Sequence, residues 1–153
     1  MGKIDDRLNE LGITLPDAPA PAANYVPFLF MGDLLYVSGQ ISAGPDGLMT
    51  GICNGPEDID AGVAAARACA LSLLAQVRKA CDGDLDRLVQ VVKLTGFVAS
   101  TPEFTDQPKV VNGASDLMAE VLGDAGRHTR SAVGVAALPM GVRVEIEGIF
   151  QIA

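Results

Sequence analysis

The chain has 153 residues, 49% of them hydrophobic and 20% charged, with a formal net charge of −8. That length suits one domain with a sizeable core, and the acidity, with Lys and Arg scattered rather than clustered, argues against nucleic acid gripped through its phosphates. The three cysteines, Cys53, Cys69 and Cys81, are odd in number and lack CxxC spacing, which disfavours a disulfide framework or zinc site and fits a reducing, cytoplasmic setting.

The first residues, MGKIDDRLNELG, have no apolar stretch of signal-peptide type. No apolar run reaches the roughly 18 residues of a membrane span. Ile4, Leu8 and Leu11 fall at helical spacing, and Gly12 can end that short helix in a left-handed cap. So short a helix must dock on something. Leu15 to Ala23 carries three prolines and reads as an extended segment that delivers Asn24 and Tyr25 to the rest of the chain. Residues 1–23 are therefore an N-terminal helix and a Pro-rich extension on a single domain of residues 1–153.

Phe28–Met31 and Leu34–Ile41 read as strands, with Gly32-Asp33 between them suited to a type II′ turn. Gly39, inside the second strand, signals a bulge or a close approach by backbone or ligand. Gly44 to Gly47 is a turn. Pro56-Glu57-Asp58 opens a helix whose apolar stripe is Ile59, Val63, Ala66, Ala70, Leu73 and Val77. Ala65, Ala68 and Ser72 lie opposite that stripe. Cys69 reads as a small packed residue, not a nucleophile. Leu88–Val98 is a strand with a second bulge candidate at Gly96. Gln107-Pro108 opens another helix, which Gly123 closes.

The tail, Gly126 to Ala153, reads as two paired strands, Ser131–Leu138 and Val142–Ile152, joined by a turn at Pro139, Met140 and Gly141. Val142, Val144 and Ile146 take one face; Arg143, Glu145 and Glu147 take the other. With His128 and Arg130 at its start, this is either an anion site or a plain hairpin with a solvated charged face. The order of elements gives an α+β domain with two main helices packed on one face of a mixed β-sheet. The other face keeps apolar character and is expected to pack against copies of the same chain.

No zinc, phosphate-loop, dinucleotide or GxSxG pattern is present. His128 stands alone, with no triad around it, and Arg127 reads as a surface charge. Arg130 is followed by small residues, so its planar fork can face a cavity and take a carboxylate in a bidentate way. Glu145 is a candidate to hold a water or a proton, or else part of an ion pair. Tyr25 either closes a pocket or packs in the core.

The run Arg130-Ser131-x-Val133-x-Val135-Ala136-x-Leu138-Pro139, followed by Val142-x-Val144-Glu145-Ile146-Glu147-x-Ile149, resembles the C-terminal signature of the reactive intermediate deaminase (Rid, YjgF or L-PSP) family. Tyr25-Val26 and Val37-Ser38-Gly39-Gln40-Ile41 match that family's N-terminal blocks, and Val111-Asn112 matches its helix Asn. The resemblance covers about residues 19 to 152 and is similar to a less characterised branch. It implies a chorismate-mutase-like fold, a homotrimer with sites at subunit interfaces, and no cofactor or metal. It also implies hydrolysis of enamines and imines such as 2-aminoacrylate and 2-iminopropanoate to 2-keto acids and ammonia. Carried over by position, Arg130 binds the substrate carboxylate and Glu145 orients or activates water. Tyr25, Gly39 and Asn112 line the site. Ala132 stands where well-characterised members often have Cys; it removes a thiol but leaves a backbone carbonyl. Gly134 stands where a Glu is frequent, which widens the pocket. The competing readings are a trimeric carboxylate-binding or regulatory protein without turnover, and the ribonuclease of the L-PSP name, against which the net charge weighs.

Overall fold

The computed structural model describes residues 2–153 and opens with α1 (Lys3–Glu10). Leu8 is buried beneath it, and Gly12 leaves the helix at φ +68°. A distant carboxylate caps it: the N–H groups of Lys3 and Ile4 donate to Asp86 at 2.8 and 3.0 Å. Negative charge at a helix N-terminus is stabilised by the helix dipole. Those two N–H donors hold the Asp86 carboxyl below the usual range.

β1 (Phe28–Met31) and β2 (Leu34–Ile41) form the expected hairpin, Met31 opposite Leu34. Gly32 has φ +62° and Asp33 is not in the positive-φ region, as a type II′ turn requires. A small hairpin follows, β3 (Ala43–Gly44) with β4 (Gly47–Leu48). A 3-10 turn at Pro56–Asp58 leads into α2 (Ile59–Ala80). The remaining elements are β5 (Leu88–Ala99), α3 (Gln107–Leu122), β6 (Thr129–Val135) and β7 (Val144–Ile152). Gly123 ends α3 at φ +62°.

Among the described residues the main sheet runs β1-β2-β7-β5-β6, antiparallel except for the parallel β5–β6 pair. α2 and α3 cover one face, and Leu73, Leu94, Val111, Leu117, Ile146 and Phe150 are fully buried between the layers. Each such side chain contributes roughly 1.5–3 kcal/mol through burial. This is the α+β, chorismate-mutase-like arrangement expected from the order of elements and the resemblance. No helix among the described residues is long and apolar enough to cross a membrane.

Three local expectations are corrected. The tail is not a hairpin: β6 lies on the far side of β5 from β7, and pairs with β5 in parallel (Leu94 opposite Arg130, Gly96 opposite Ala132). β6 also ends at Val135, before Leu138. Strand periodicity fixes which side chains share a face, not which strand lies alongside. Gly96 is not a bulge; the register shifts in β5 lie at Leu88/Gln90 and Val91/Lys93. A Cβ at Gly96 would sit 2.6 Å from the Val111 side chain, so the missing side chain lets α3 approach the sheet. Finally, Ala65 and Ser72 are buried although they lie off the stripe of α2. The helix is enclosed from more than one side: sheet and α3 on the apolar face, and the Pro-rich extension and β3–β4 beside Ser72.

Candidate functional site

The sequence candidates gather in two clusters. The first is built on β6 and α3. Arg130 is in register with fully buried Leu94, so it points to the helix-covered face. Its Nη1 donates to Asn112 Oδ1 at 2.9 Å and to Ser115 Oγ at 3.1 Å, and its Nη2 donates to the Pro108 carbonyl at 3.3 Å. Two turns of α3 thus supply the guanidinium with three partners. Nε–H and one Nη2–H have no acceptor in the chain, which leaves two donors for a carboxylate.

Ser115 ties in His128. The His128 Nδ1 lies 2.7 Å from the Gly126 carbonyl and its Nε2 lies 2.9 Å from Ser115 Oγ. A carbonyl only accepts, so Nδ1 carries a proton, while the Nε2–Ser115 bond can run in either direction because a hydroxyl both donates and accepts. The chain Gly126–His128–Ser115–Arg130 ties the imidazole to the guanidinium through one hydroxyl. Ala132 shares Arg130's face, opposite Gly96, and packs against the core. Beyond it, Gly134 borders an open cleft of about 520 Å³ with Ser100, Thr101 and Gln107. The Thr101 hydroxyl there is buried without a partner.

The second cluster lies at the unpaired half of β2. β1 pairs only as far as Val37, and the chain before it covers the remainder. Ser38 holds that segment, its N–H on the Pro27 carbonyl at 2.9 Å and its hydroxyl on the Val26 carbonyl at 2.7 Å. At the segment's other end, Gln76 Nε2 donates to the Pro19 carbonyl at 2.7 Å. Tyr25, 49% exposed, sits between these tethers.

The bulge at Gly39 is real: the β2–β7 register shifts between Val37 and Gln40. It seats Glu145, since a Cβ at Gly39 would come within 2.5 Å of Glu145 Oε1. Alternation puts Glu145 on the face opposite buried Val144 and Ile146. Partial burial, then the nearby Glu147 charge, push its carboxyl above the ordinary Glu range. Behind it, burial and then the Glu145 charge push the Cys69 thiol far up, which makes Cys69 the packed residue expected. Tyr25, Gly39 and Glu145 line one cavity with Met140, whose φ of 56° places a non-glycine residue in the left-handed region.

Arg130 and Glu145 of one chain do not meet. Glu145 is opposite Phe97, which is opposite Val133; two strand spacings and three residues along put the Cα atoms roughly 14 Å apart. The side chains leave opposite faces. Tyr25, Gly39 and Glu145 are thus together, Arg130, Asn112, Ala132 and His128 are together, and the two groups are apart. The sequence reading missed Ser115, Pro108 and Gln76. Ser115 had a signal, being three residues after Asn112 on the same helix face. Pro108 acts through its carbonyl, which no residue type reveals. Among the described residues, no group of three or more His, Cys, Asp or Glu is gathered as for a metal ion.

Comparison with known proteins adds an independent line. The family model described as "YjgF/chorismate_mutase-like, putative endoribonuclease" matches residues 5–146. Protein TCP17 of Trypanosoma cruzi is 48% identical over 153 residues, covering 99% of this chain and 95% of that protein. The 2-iminobutanoate/2-iminopropanoate deaminase of Rattus norvegicus is 30% identical over 137 residues, covering 90% of this chain and 86% of that protein. A solved structure of a protein of unknown function from Agrobacterium tumefaciens superposes with a TM-score of 0.90 at 49% identity, covering 99% of this chain and 93% of that one.

Proposed function

The chain belongs to the YjgF/chorismate-mutase-like family, and from that premise and the two clusters we propose that it hydrolyses 2-imino acids and their enamine tautomers to 2-keto acids and ammonia. The observation that carries this reading is the Arg130 fork, held by three partners with two N–H donors left for a carboxylate. A relative named 2-iminobutanoate/2-iminopropanoate deaminase supports it.

The site is completed between subunits. One chain offers the Arg130 anchor and its neighbour offers Glu145 with Tyr25 and Gly39, in a homotrimer. The bare sheet face favours such an assembly: Leu29, Tyr36 and Val133 are each more than 40% exposed, and exposed apolar area of this kind marks an interface. Within one chain the two clusters are too far apart to grip a three-carbon substrate together.

Arg130 fixes the substrate carboxylate, which places the electrophilic C2 beside water held by Glu145. Glu145 takes a proton as that water adds to C2, and the proton is returned to the departing nitrogen. The tetrahedral carbinolamine then collapses to the keto acid and ammonia. Positioning supplies much of the rate, and the general base adds about 10²- to 10⁴-fold. The upward shift at Glu145 brings its basicity closer to neutral pH, where a general base works best.

The binding-without-turnover reading rests on Ala132, which leaves the anchor intact and supplies no thiol. RNA cleavage finds less support: Arg7, Arg67, Arg78, Lys109, Arg127 and Arg143 are each within 4 Å of a carboxylate, so they do not form a free basic stripe. The test is release of ammonia from 2-aminoacrylate generated in situ by a pyridoxal-phosphate dehydratase. Release above the spontaneous rate, absent with Arg130→Ala, supports the deaminase. Keto-acid binding with no rate above background supports the binder.

A further inference from the structure

The bulge that seats Glu145 is tied down by two buried amides that the chemistry above leaves unused. Val37 lies opposite Gly148, but Gln40 lies opposite Ile146, so β2 carries one residue more than β7 across this stretch. The extra residue turns Gln40 to the helix-covered face, where it is 7% exposed. A buried amide is unfavourable unless it is hydrogen-bonded, and Gln40 is bonded at both ends. Its Nε2 reaches back past Gly39 and donates to the Ser38 carbonyl at 2.9 Å. Its Oε1 accepts from Gln76 Nε2 at 3.4 Å. Gln76, 1% exposed on α2, also donates to the Pro19 carbonyl at 2.7 Å. Both carbonyls only accept, so turning either amide over would set oxygen against oxygen.

Regular pairing shows what this relay prevents. Counted on from Val37 without the extra residue, position 39 would fall opposite Ile146 and position 40 opposite Glu145. Residues directly opposite share a face, so the Gln40 side chain would then stand beside Glu145, where Gly39 now leaves room for the carboxylate. A slip of one residue moves every side chain to the other face. It would also strip Gln76 of its Gln40 acceptor, which is unfavourable in a buried setting. We infer that Gln40 and Gln76 are positioning residues for Glu145, holding β2 in the bulged register that places a glycine beneath the carboxylate. This rests on the deaminase reading, in which Glu145 is the general base.

The test is Gln40→Met in the full chain, which keeps the length of the side chain and removes its hydrogen bonds. The readouts are kcat for 2-aminoacrylate hydrolysis across pH, pyruvate affinity by titration calorimetry, and the melting temperature. The expected kcat is lower by about tenfold, as for a small misplacement of a reacting group. Pyruvate affinity is unchanged, because Arg130 belongs to the other cluster. The acid limb moves to lower pH, because burial in this seat is the main cause of the raised Glu145 pKa. The other titratable groups around Glu145 are Glu147 on β7, Cys69 on α2 and Tyr25 on the segment before β1, and the substitution removes none of them. Gln76→Met keeps the Gln40–Ser38 bond and gives the same changes at smaller size; it carries the test if Gln40→Met does not fold. Val91→Ala, a cavity in the core under β5, lowers the melting temperature without moving kcat or the limb. Wild-type kcat and an unmoved limb in Gln40→Met, or in Gln76→Met where the first does not fold, overturns the inference. A fall in kcat with the limb unmoved, or one that Val91→Ala reproduces, overturns it too, since it marks a merely structural role. Absence of turnover by wild type at every pH is a separate failure: the deaminase reading falls, and this inference with it.

Discussion

The two ends of the proposed site are built on opposite plans. At Arg130, a regular strand and a regular helix hold a cation by three hydrogen bonds and leave two donors free, and each partner lies within a short stretch of chain, Pro108 to Arg130. At Glu145, a bulge, a residue of positive φ and a Pro-rich segment surround a carboxylate, and a buried amide oxygen is unpaired. The first end is finished before a ligand arrives. The second keeps open volume for what enters it. On the proposed function, binding strength falls to the rigid end and the chemistry to the irregular one.

The largest expected effect is at the irregular end. Glu145→Gln removes the general base, and kcat should fall by about 10²- to 10⁴-fold with KM little changed. In wild type the rate should fall as pH drops through the raised Glu145 pKa, an acid limb above the ordinary Glu range. Glu147→Gln removes the second cause of that shift and should move the limb to lower pH. The same shift makes the native chain hold a proton that the unfolded chain releases. Glu145 therefore lowers stability as pH rises from the ordinary Glu value through its raised one. A pH–rate profile with no limb above the ordinary Glu range would count against this assignment.

At the rigid end, Arg130→Ala should cost roughly 2–5 kcal/mol of keto-acid binding, because it removes the charge partner of a desolvated carboxylate. Arg130→Lys should recover little of that loss, since an ammonium cannot reproduce the fork. Isothermal titration with pyruvate distinguishes the two. Full rescue by Lys would reduce the arrangement of Pro108, Asn112 and Ser115 to a simple positive charge.

Gly39→Ala should then lower kcat about tenfold while leaving keto-acid affinity nearly intact, as a displacement of Glu145 by less than about 1 Å would do. A crystal structure of the variant should show the carboxylate moved off its seat. The smallest effects belong to the relay behind Arg130. Ser115→Ala and His128→Ala should each raise KM several-fold, about 1 kcal/mol per lost hydrogen bond, with kcat preserved. The double variant should be no worse than Ser115→Ala, because His128 acts through that hydroxyl. Additive losses would show that His128 acts by another route.

The same contrast explains what was legible in the sequence. The hairpin turn at Gly32, both main helices and the seat at Gly39 follow from local pattern, since turn chemistry and helical period are written in adjacent residues. Arg130 and Asn112 were found, and Ser115 lay one helical step further along the same face. The pairing of β6 with β5 was not legible, because a parallel partner is set by the crossover through α3 and not by the strand's own alternation. Gln76 was not legible either. A glutamine in an Ala-rich helix looks solvated until the extension, 57 residues away at Pro19, is laid across it.

The division of the site between subunits is tested most directly by mixing two variants. Arg130→Ala and Glu145→Gln chains are each expected to be inactive alone. Refolded together in equal amounts, they should regain about a quarter of wild-type 2-aminoacrylate hydrolysis, the fraction of interfaces that receive Arg130 from one chain and Glu145 from its neighbour. Activity that stays at background after mixing, with mixed oligomers demonstrably formed, would contradict a site shared between chains.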